Sequence, residues 1–262
     1  MRGLKVKSDM EAERLQKEFE TWFQSPLGQT ILANQRQTVE HSIGRFFGYH
    51  QLELLVSHEL PVGQSSLLGH RIISVPRWEK ELPEGSLVCH SHELPLESDS
   101  IDLVILHHTL DVAARPHQSL REAARVLRSG GHMVIIGFNP LSAWGLRRAI
   151  FRSPKAPWSG RFLTSSRLED WLSLLDFRLK DVHYRFYAPP VTNLQWLSRL
   201  AFLDKFGARF RLPLGAYYTI VAQKRVGCVI PLRPQWRRSR VAGAAVVHQF
   251  TPYRPYKKNE DS

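Results

Sequence analysis

Residues 93–138 read ELPLESDSIDLVILHHTLDVAARPHQSLREAARVLRSGGHMVIIGF, and this stretch decides the fold. Its first apolar run, Ile101–His107, follows an acidic loop without a single alternating polar position beyond Asp102. Continuous runs of this kind suit parallel strands covered on both faces. The segment from His117 to Leu127 places Leu120, Ala123, Ala124 and Leu127 on one helical face. Arg128-Ser129-Gly130-Gly131 then ends the helix, with a glycine available for a left-handed cap. Met133–Phe138 is a second buried strand. Strand, helix and strand with short links make a βαβ unit, which is almost always right-handed.

Outward from this unit the elements are shorter. Between Met10 and Ile43 the spacing of Leu15, Phe19, Trp22 and Phe23 is helical. Ser25-Pro26 interrupts it with a good N-cap and a residue tolerated at the first helical position, so a second helix is expected to follow. Arg45–Val56, His70–Val75 and Leu87–Cys89 read as three strands. Ser166 and Glu169 have capping-box spacing ahead of Leu168, Trp171, Leu172 and Leu175. Phe177–Tyr184 and Tyr217–Lys224 read as late strands. The link between them carries Trp196, Phe202, Phe206 and Phe210 without a clear crossover helix.

The net charge is +12 over 262 residues, and half of it falls after Lys224. Residues 225–262 hold eight basic and two acidic side chains, with Pro231, Pro234, Pro252 and Pro255 breaking any long helix. This reads as an extended basic tail for polyanion contact, or as a solubilising tail without a partner. Tyr253 and Tyr256 among basic residues could stack on unpaired bases. Cys89 and Cys228 are far apart, so neither a disulfide framework nor a zinc site is expected, and a reducing, cytoplasmic setting is the simpler expectation. The first fifteen residues lack the apolar run of a signal peptide, and no membrane span is expected.

The ordered set Leu94-Pro95, acidic loop, Asp102, Leu120-Arg121-Glu122, Arg125-Val126-Leu127 and Gly130-Gly131 resembles the class I S-adenosylmethionine-dependent methyltransferases, in their type 11 domain. Phe138-Asn139-Pro140-Leu141-Ser142 with Trp144-Gly145-Leu146-Arg147-Arg148 is similar to a bacterial branch, the YafS-like methyltransferases. So are Trp22-Phe23 to Leu27-Gly28 and the Asp170-Trp171-Leu172 helix. The resemblance implies a Rossmann-like α/β fold: a seven-stranded, mostly parallel sheet with helices on both faces. Its last strand, Tyr217–Lys224, should be antiparallel beside Met133–Phe138. Three regions are expected: an N-terminal helical segment over 1–43, a methyltransferase-like domain over 44–224 with its core motif at 87–138, and the tail over 225–262.

The resemblance further implies S-adenosylmethionine as cofactor and methyl transfer to an unidentified acceptor. It places the cofactor against Phe47, Gly48 and Tyr49, against His92, Glu93 and Leu94, and near His107 and His108. The turn at Phe47–His50 has one glycine where the family has several, and Ile72–Pro76 has no acidic residue for ribose hydroxyls. A second reading is therefore a methyltransferase fold that serves as a non-catalytic binding module, with nucleic acid as one partner. No catalytic residue is assigned. His107 and His108 are read either as cleft residues or as core histidines. Asp102 is expected to bind backbone amides, Asn139 either to orient a substrate or to end a strand, and Trp144 with its arginines either to line an entrance or to lie on a solvated helix. The nearby histidines lack metal-ligand spacing, and no metal is expected.

Overall fold

All seven residues of the central strand, β4 (Ile101–His107), are buried. The computed structural model describes residues 2–78, 81–151, 155–191, 199, 201–210 and 212–226. The tail after residue 226, with every expectation placed on it there, lies outside the described residues. Strand β4 is flanked by β1 (His50–Leu54) and β5 (Leu127–Phe138). Beyond β1 lie β2 (His70–Val75) and β3 (Ser86–Val88). Beyond β5 lie β7 (Tyr217–Lys224) and then β6 (Phe177–Arg185). The order is β3-β2-β1-β4-β5-β7-β6, and β7 alone runs antiparallel to its neighbours β5 and β6. The seven-stranded, mostly parallel sheet and the inserted last strand are as the family resemblance implied.

The two sheet faces are covered differently. Helices α1 (Arg2–Phe23) and α2 (Pro26–Ile43) cover one face, with Phe19, Phe23, Ile31 and Val39 packed against Leu103, Ile105 and Val134. Ser25 caps α2 by accepting a hydrogen bond from the Gly28 amide at 3.2 Å, as Ser25-Pro26 suggested. The other face is covered by α4 (Pro116–Val126) and α6 (Ser165–Leu174), whose Leu120, Ala123, Leu168 and Leu172 meet Val104, Leu106 and Ile135. A one-turn helix α3 (Thr109–Val112) follows β4, and α5 (Ala143–Phe151) follows β5. A last helix, α7 (Ala201–Arg209), lies in the long link where no helix was expected. Among the described residues no helix is long and apolar enough to cross a membrane.

The motif at 93–127 is held by one clamp. Arg125 Nη2 donates to the Leu94 carbonyl and Nη1 to the Leu96 carbonyl, both at 2.9 Å. Glu122 pairs with the same guanidinium at 2.9 Å and accepts from the Leu94 amide at 3.3 Å. The hydrogen bond from Arg125 holds the Glu122 carboxyl below its usual range. The Leu-Pro turn and the Glu-x-x-Arg helix therefore recur together because one side-chain pair satisfies the turn's backbone.

Several local expectations are corrected. No glycine caps α4: its C-cap, Leu127, is already extended and begins β5. Gly130 takes φ 82° inside an irregularity, where Ile101 pairs with Leu127 but Leu103 pairs with His132. The extra residues bulge, and Gly130 supplies the left-handed backbone that the bulge requires. Helix α6 is capped by Thr164, which accepts from the Arg167 amide at 3.3 Å, rather than by a Ser166–Glu169 box. Among the described residues, the links β1–β2, β2–β3 and β3–β4 contain no helix.

The Phe47-Gly48-Tyr49 segment precedes β1 and sits at the amino edge of the sheet, beside the start of β4. Asp102 accepts hydrogen bonds there from the Tyr49 and His50 amides, both at 2.8 Å, and pairs with Arg128 at 2.6 Å. Its amide-binding role is the one the sequence suggested. A Cβ on Gly48 would come within 2.6 Å of the Asp102 Cβ and Cγ. Gly48→Ala is expected to lower stability by roughly 1–3 kcal/mol through this overpacking. It should leave ligand binding at the opposite edge unchanged. Urea unfolding alongside a ligand titration checks both, and an unshifted midpoint would refute the close approach.

Candidate functional site

The carboxyl ends of parallel strands point their free amides and loop side chains into one cleft, the usual ligand position in sheets of this type. Here Leu54 and Leu55 at the end of β1, Ser74 and Pro76 around the end of β2, and Cys89 to His92 after β3 line that cleft. Thr109 and Ala113 close it from the β4 side. Its floor is tied together locally. Thr109 Oγ1 donates to the Leu54 carbonyl at 2.6 Å, Ser74 Oγ lies 3.2 Å from Cys89 Sγ, and Ser91 Oγ lies 2.7 Å from Ser119 Oγ. Burial pushes the Cys89 thiol up. Ala12, Glu13 and Gln16 of α1 form the remaining wall. The space left is about 30 Å³, room for a water or two and far below a small-molecule site of some 300–1,000 Å³.

The residues assigned to the cofactor from sequence do not come together. Phe47, Gly48 and Tyr49 are at the other edge of the sheet, with the Phe47 and Tyr49 side chains exposed to solvent, so their assignment to the cleft is corrected. His92 lies in the cleft wall, stacked on His90 with centroids 5.3 Å apart. Glu93 is exposed beside it, and Leu94 is buried in the core beneath α4. His107 and His108 are fully buried and do not line the cleft.

The turn that does follow β1 belongs to residues 55–69, and its anchor is a buried carboxylate. Glu53 Oε2 accepts from the Val62 and Gly63 amides, each at 3.1 Å. Gln51 donates to Glu53 at 2.8 Å and to the Gly63 carbonyl at 3.1 Å. A Cβ on Gly63 would collide with the Gln51 amide and approach Ile105 Cδ1 to 2.6 Å, so glycine is required for the close approach. Sequence reading missed Glu53 and Gly63, although an acidic residue within an otherwise apolar strand was a usable signal.

His107 and His108 belong to a dry polar network. His107 Nε2 lies 2.9 Å from Gln35 Oε1, and His108 Nε2 lies 2.8 Å from Gln35 Nε2. That amide orientation makes His107 Nε2 a donor and His108 Nε2 an acceptor, so His108 Nδ1 carries the proton it donates to Asp111 Oδ2 at 2.7 Å. The same carboxylate oxygen accepts from the Phe138 amide at 3.1 Å. Burial pushes His108 down to about 3 and holds His107 well below the usual imidazole value, the latter helped by His108 and Arg36. Burial raises Asp111 well above the carboxylate range, against the Phe138 amide and Arg148. Phe19 and Phe23 seal the network, with ring centroids 6.2 and 5.4 Å from His108.

Two further candidates are structural. Asn139 Nδ2 donates to the Pro213 and Gly215 carbonyls at 2.9 Å, tying the end of β5 to the approach to β7. Trp144 is fully buried, and its indole donates to the Ala188 carbonyl at 3.0 Å. Among the described residues no group of three or more histidine, cysteine or acidic side chains could hold a metal ion.

Comparison with known proteins agrees with this architecture. A family model described as a methyltransferase domain (Methyltransf_11) matches residues 73–135. The chain is 40% identical over 144 residues to the uncharacterized protein YafS of Escherichia coli (strain K12), an alignment covering 53% of each. The chain thus spans about half the length of the curated relative it matches. A S-adenosylmethionine-dependent methyltransferase of Thermotoga maritima superposes with a TM-score of 0.59 at 19% identity, over 81% of this chain and 97% of that one. A Haloferax volcanii methyltransferase in complex with the activator Trm112 gives 0.56 at 16% identity, over 81% and 98%. The superpositions show the fold.

Gln35→Leu keeps the volume and removes both histidine partners. Leaving buried imidazole nitrogens unpaired should cost roughly 2–5 kcal/mol. A urea midpoint within error of the parent would exclude the network as a stabilising element. Acid provides a second check. His107 and His108 stay neutral when folded but protonate near 6.5 when unfolded, so their contribution is complete above that pH and falls below it. Asp111 works in the opposite sense, since its raised carboxyl keeps a proton that the unfolded chain releases above about 3.8. Two imidazoles against one carboxyl leave a net loss on the order of 1 kcal/mol per pH unit between pH 6 and 4.5. Denaturant midpoints measured across that window test the sign; a midpoint that rises on acidification contradicts it.

Proposed function

We propose that this chain, whose fold and central segment resemble those of class I methyltransferases, transfers a methyl group from S-adenosylmethionine to an acceptor at the carboxyl edge of β1–β4. The observation that carries the reading is the cleft itself. The strand ends and the Cys89–His92 loop that line it fall largely within the segment matched by the methyltransferase family model. The localisation we propose is cytoplasmic. We also propose that residues 225–262, with six surplus positive charges, contact polyanions.

The fit of the cofactor is conditional on α1. The donor set suits a nucleoside with a charged tail: the Ser74 and Ser91 hydroxyls, two imidazoles at His90 and His92, and backbone at the end of β1. The 30 Å³ left beneath Ala12, Glu13 and Gln16 does not admit it. The first half of α1 must therefore withdraw for binding, while Phe19 and Phe23 keep the second half on the sheet. Bound there, the sulfonium supplies an electrophilic methyl group to the acceptor's lone pair. The chain's own part is to orient that acceptor in line and, with α1 returned, to exclude water.

Calorimetric titration with S-adenosylhomocysteine tests the reading, using the full chain and a variant lacking residues 1–16. Binding to both is expected. A closed fraction reduces apparent affinity in proportion, so the shortened chain should bind at least about tenfold more tightly. Equal affinities would remove α1 from the account. No heat from either protein at millimolar ligand would overturn cofactor use and leave the fold as a binding module without methyl transfer.

A further inference from the structure

We infer that the open groove between α4 and α6 is the acceptor's seat and that it takes a phosphate-bearing small molecule. The inference rests on the methyl-transfer reading for the word acceptor and on the groove's own chemistry for the phosphate. The groove encloses about 620 Å³, the size of a small-molecule site. It is adjacent to the closed cleft, because Ala114 lines both. Arg115, Arg148, Arg161 and Arg167 surround it, and no acidic residue lines it.

These guanidiniums are held in place but not neutralised. Arg148 Nε donates to the Trp158 carbonyl at 2.8 Å, which leaves its guanidinium over the Phe162 ring at 5.1 Å. Arg167 lies over Trp171, 6.0 Å from the ring centroid, and Trp171 meets His117 at a tilt of 38° with centroids 3.5 Å apart. Arg115 Nη1 donates to Gln118 at 3.3 Å. The Arg161 amide donates to the Asp111 carbonyl at 2.7 Å, fixing the backbone from which its exposed side chain extends. Among the described residues, none of the four makes an ion pair with a carboxylate. The first turn of α4 also opens here with no acidic residue and no side-chain cap, adding its positive helix end.

Four uncompensated guanidiniums exceed what one carboxylate can accept. They match the three terminal oxygens and double charge of a phosphate, which guanidinium forks bind bidentately. The aromatic wall of Phe162, Trp171 and His117 suits the planar or apolar body that carries it. The groove's bounded size argues for a small molecule rather than a long polyanion.

The probe is pyrophosphate, titrated into the full chain and into the Arg161→Gln/Arg167→Gln double variant, both positions being exposed. Pyrophosphate should bind the parent and lose about tenfold or more in the variant, while Arg178→Gln on β6, away from the groove, leaves its affinity unchanged. S-adenosylhomocysteine affinity should be equal in all three proteins, which reports an intact fold. Citrate binding as tightly as pyrophosphate would overturn the phosphate assignment. A single-stranded RNA whose affinity grows with length and depends on the same two arginines would replace the small molecule with nucleic acid. Pyrophosphate binding without S-adenosylhomocysteine binding would keep the anion site and remove its role as acceptor seat. The converse result would overturn the groove and leave methyl transfer standing.

Discussion

The carboxyl end of β4 is sealed from water, so a polar atom placed there gains a partner only from inside the protein. The Nε2 atoms of His107 and His108 meet that demand through one side chain, Gln35, supplied by α2 from more than seventy residues away, while His107 Nδ1 and Asp111 Oδ1 have no hydrogen-bond partner among the described residues. Asp111 Oδ2 extends the set by receiving the His108 proton donor and the Phe138 amide. This network fixes α2 on the sheet, sets the one-turn α3 and holds the end of β5 beside β4. Because a buried donor without a partner costs about 1–3 kcal/mol, α2 cannot shift without losing several such bonds together. The position of α1 follows, since Phe19 and Phe23 pack over the same histidines.

A second consequence is the unequal dressing of the two halves of the sheet. On the β5–β7 side, links carry helices and the packing is regular. On the β1–β3 side, among the described residues, the links carry none. There the chain returns along the strand it has just left, and Glu53 and Gln51 serve its amides and carbonyl from within β1. A buried carboxylate with two amide donors does for this loop what helix hydrogen bonding does for a crossover helix. The arrangement also explains the missing glycines. The glycine this loop needs is Gly63, at the point of contact with Gln51, rather than a series at the strand end.

Legibility in the sequence followed the physics of each segment. Ile101–His107 and Tyr217–Lys224 were readable to the residue because both are apolar runs with sharp polar borders. The 93–127 motif was readable because Glu122, Arg125 and the Leu94 turn form one local clamp. The end of β1 was not readable, because the apolar run continues through Leu55 and Val56 past the strand, and the lone Gly48 drew the turn to the wrong edge. His107 and His108 looked like cleft residues because strand position was visible and Gln35 was not. The closure of the cleft by α1 was equally hidden, since Ala12, Glu13 and Gln16 carry no pattern that distinguishes a cleft wall from an exposed helix face.

The composition of that wall bears on what α1 is for. The half of the helix that is fixed uses Phe19 and Phe23, fully buried, with Glu20 accepting from Ser57 at 3.0 Å and pairing with Arg77 at 3.1 Å. The part that closes the cleft contributes Ala12, Glu13 and Gln16 to its wall, with Leu15 half-buried against the core. Removing large apolar side chains from a core costs several kcal/mol, whereas exposing Ala12, Glu13 and Gln16 costs little. The helix is thus anchored more strongly at Phe19 and Phe23 than over the cleft, between Ala12 and Gln16. The weaker seat faces a cleft too small for a ligand, and the neighbouring groove across Ala114 stays open. This asymmetry is what the methyl-transfer reading proposed above requires of a helix that leaves the cleft and returns.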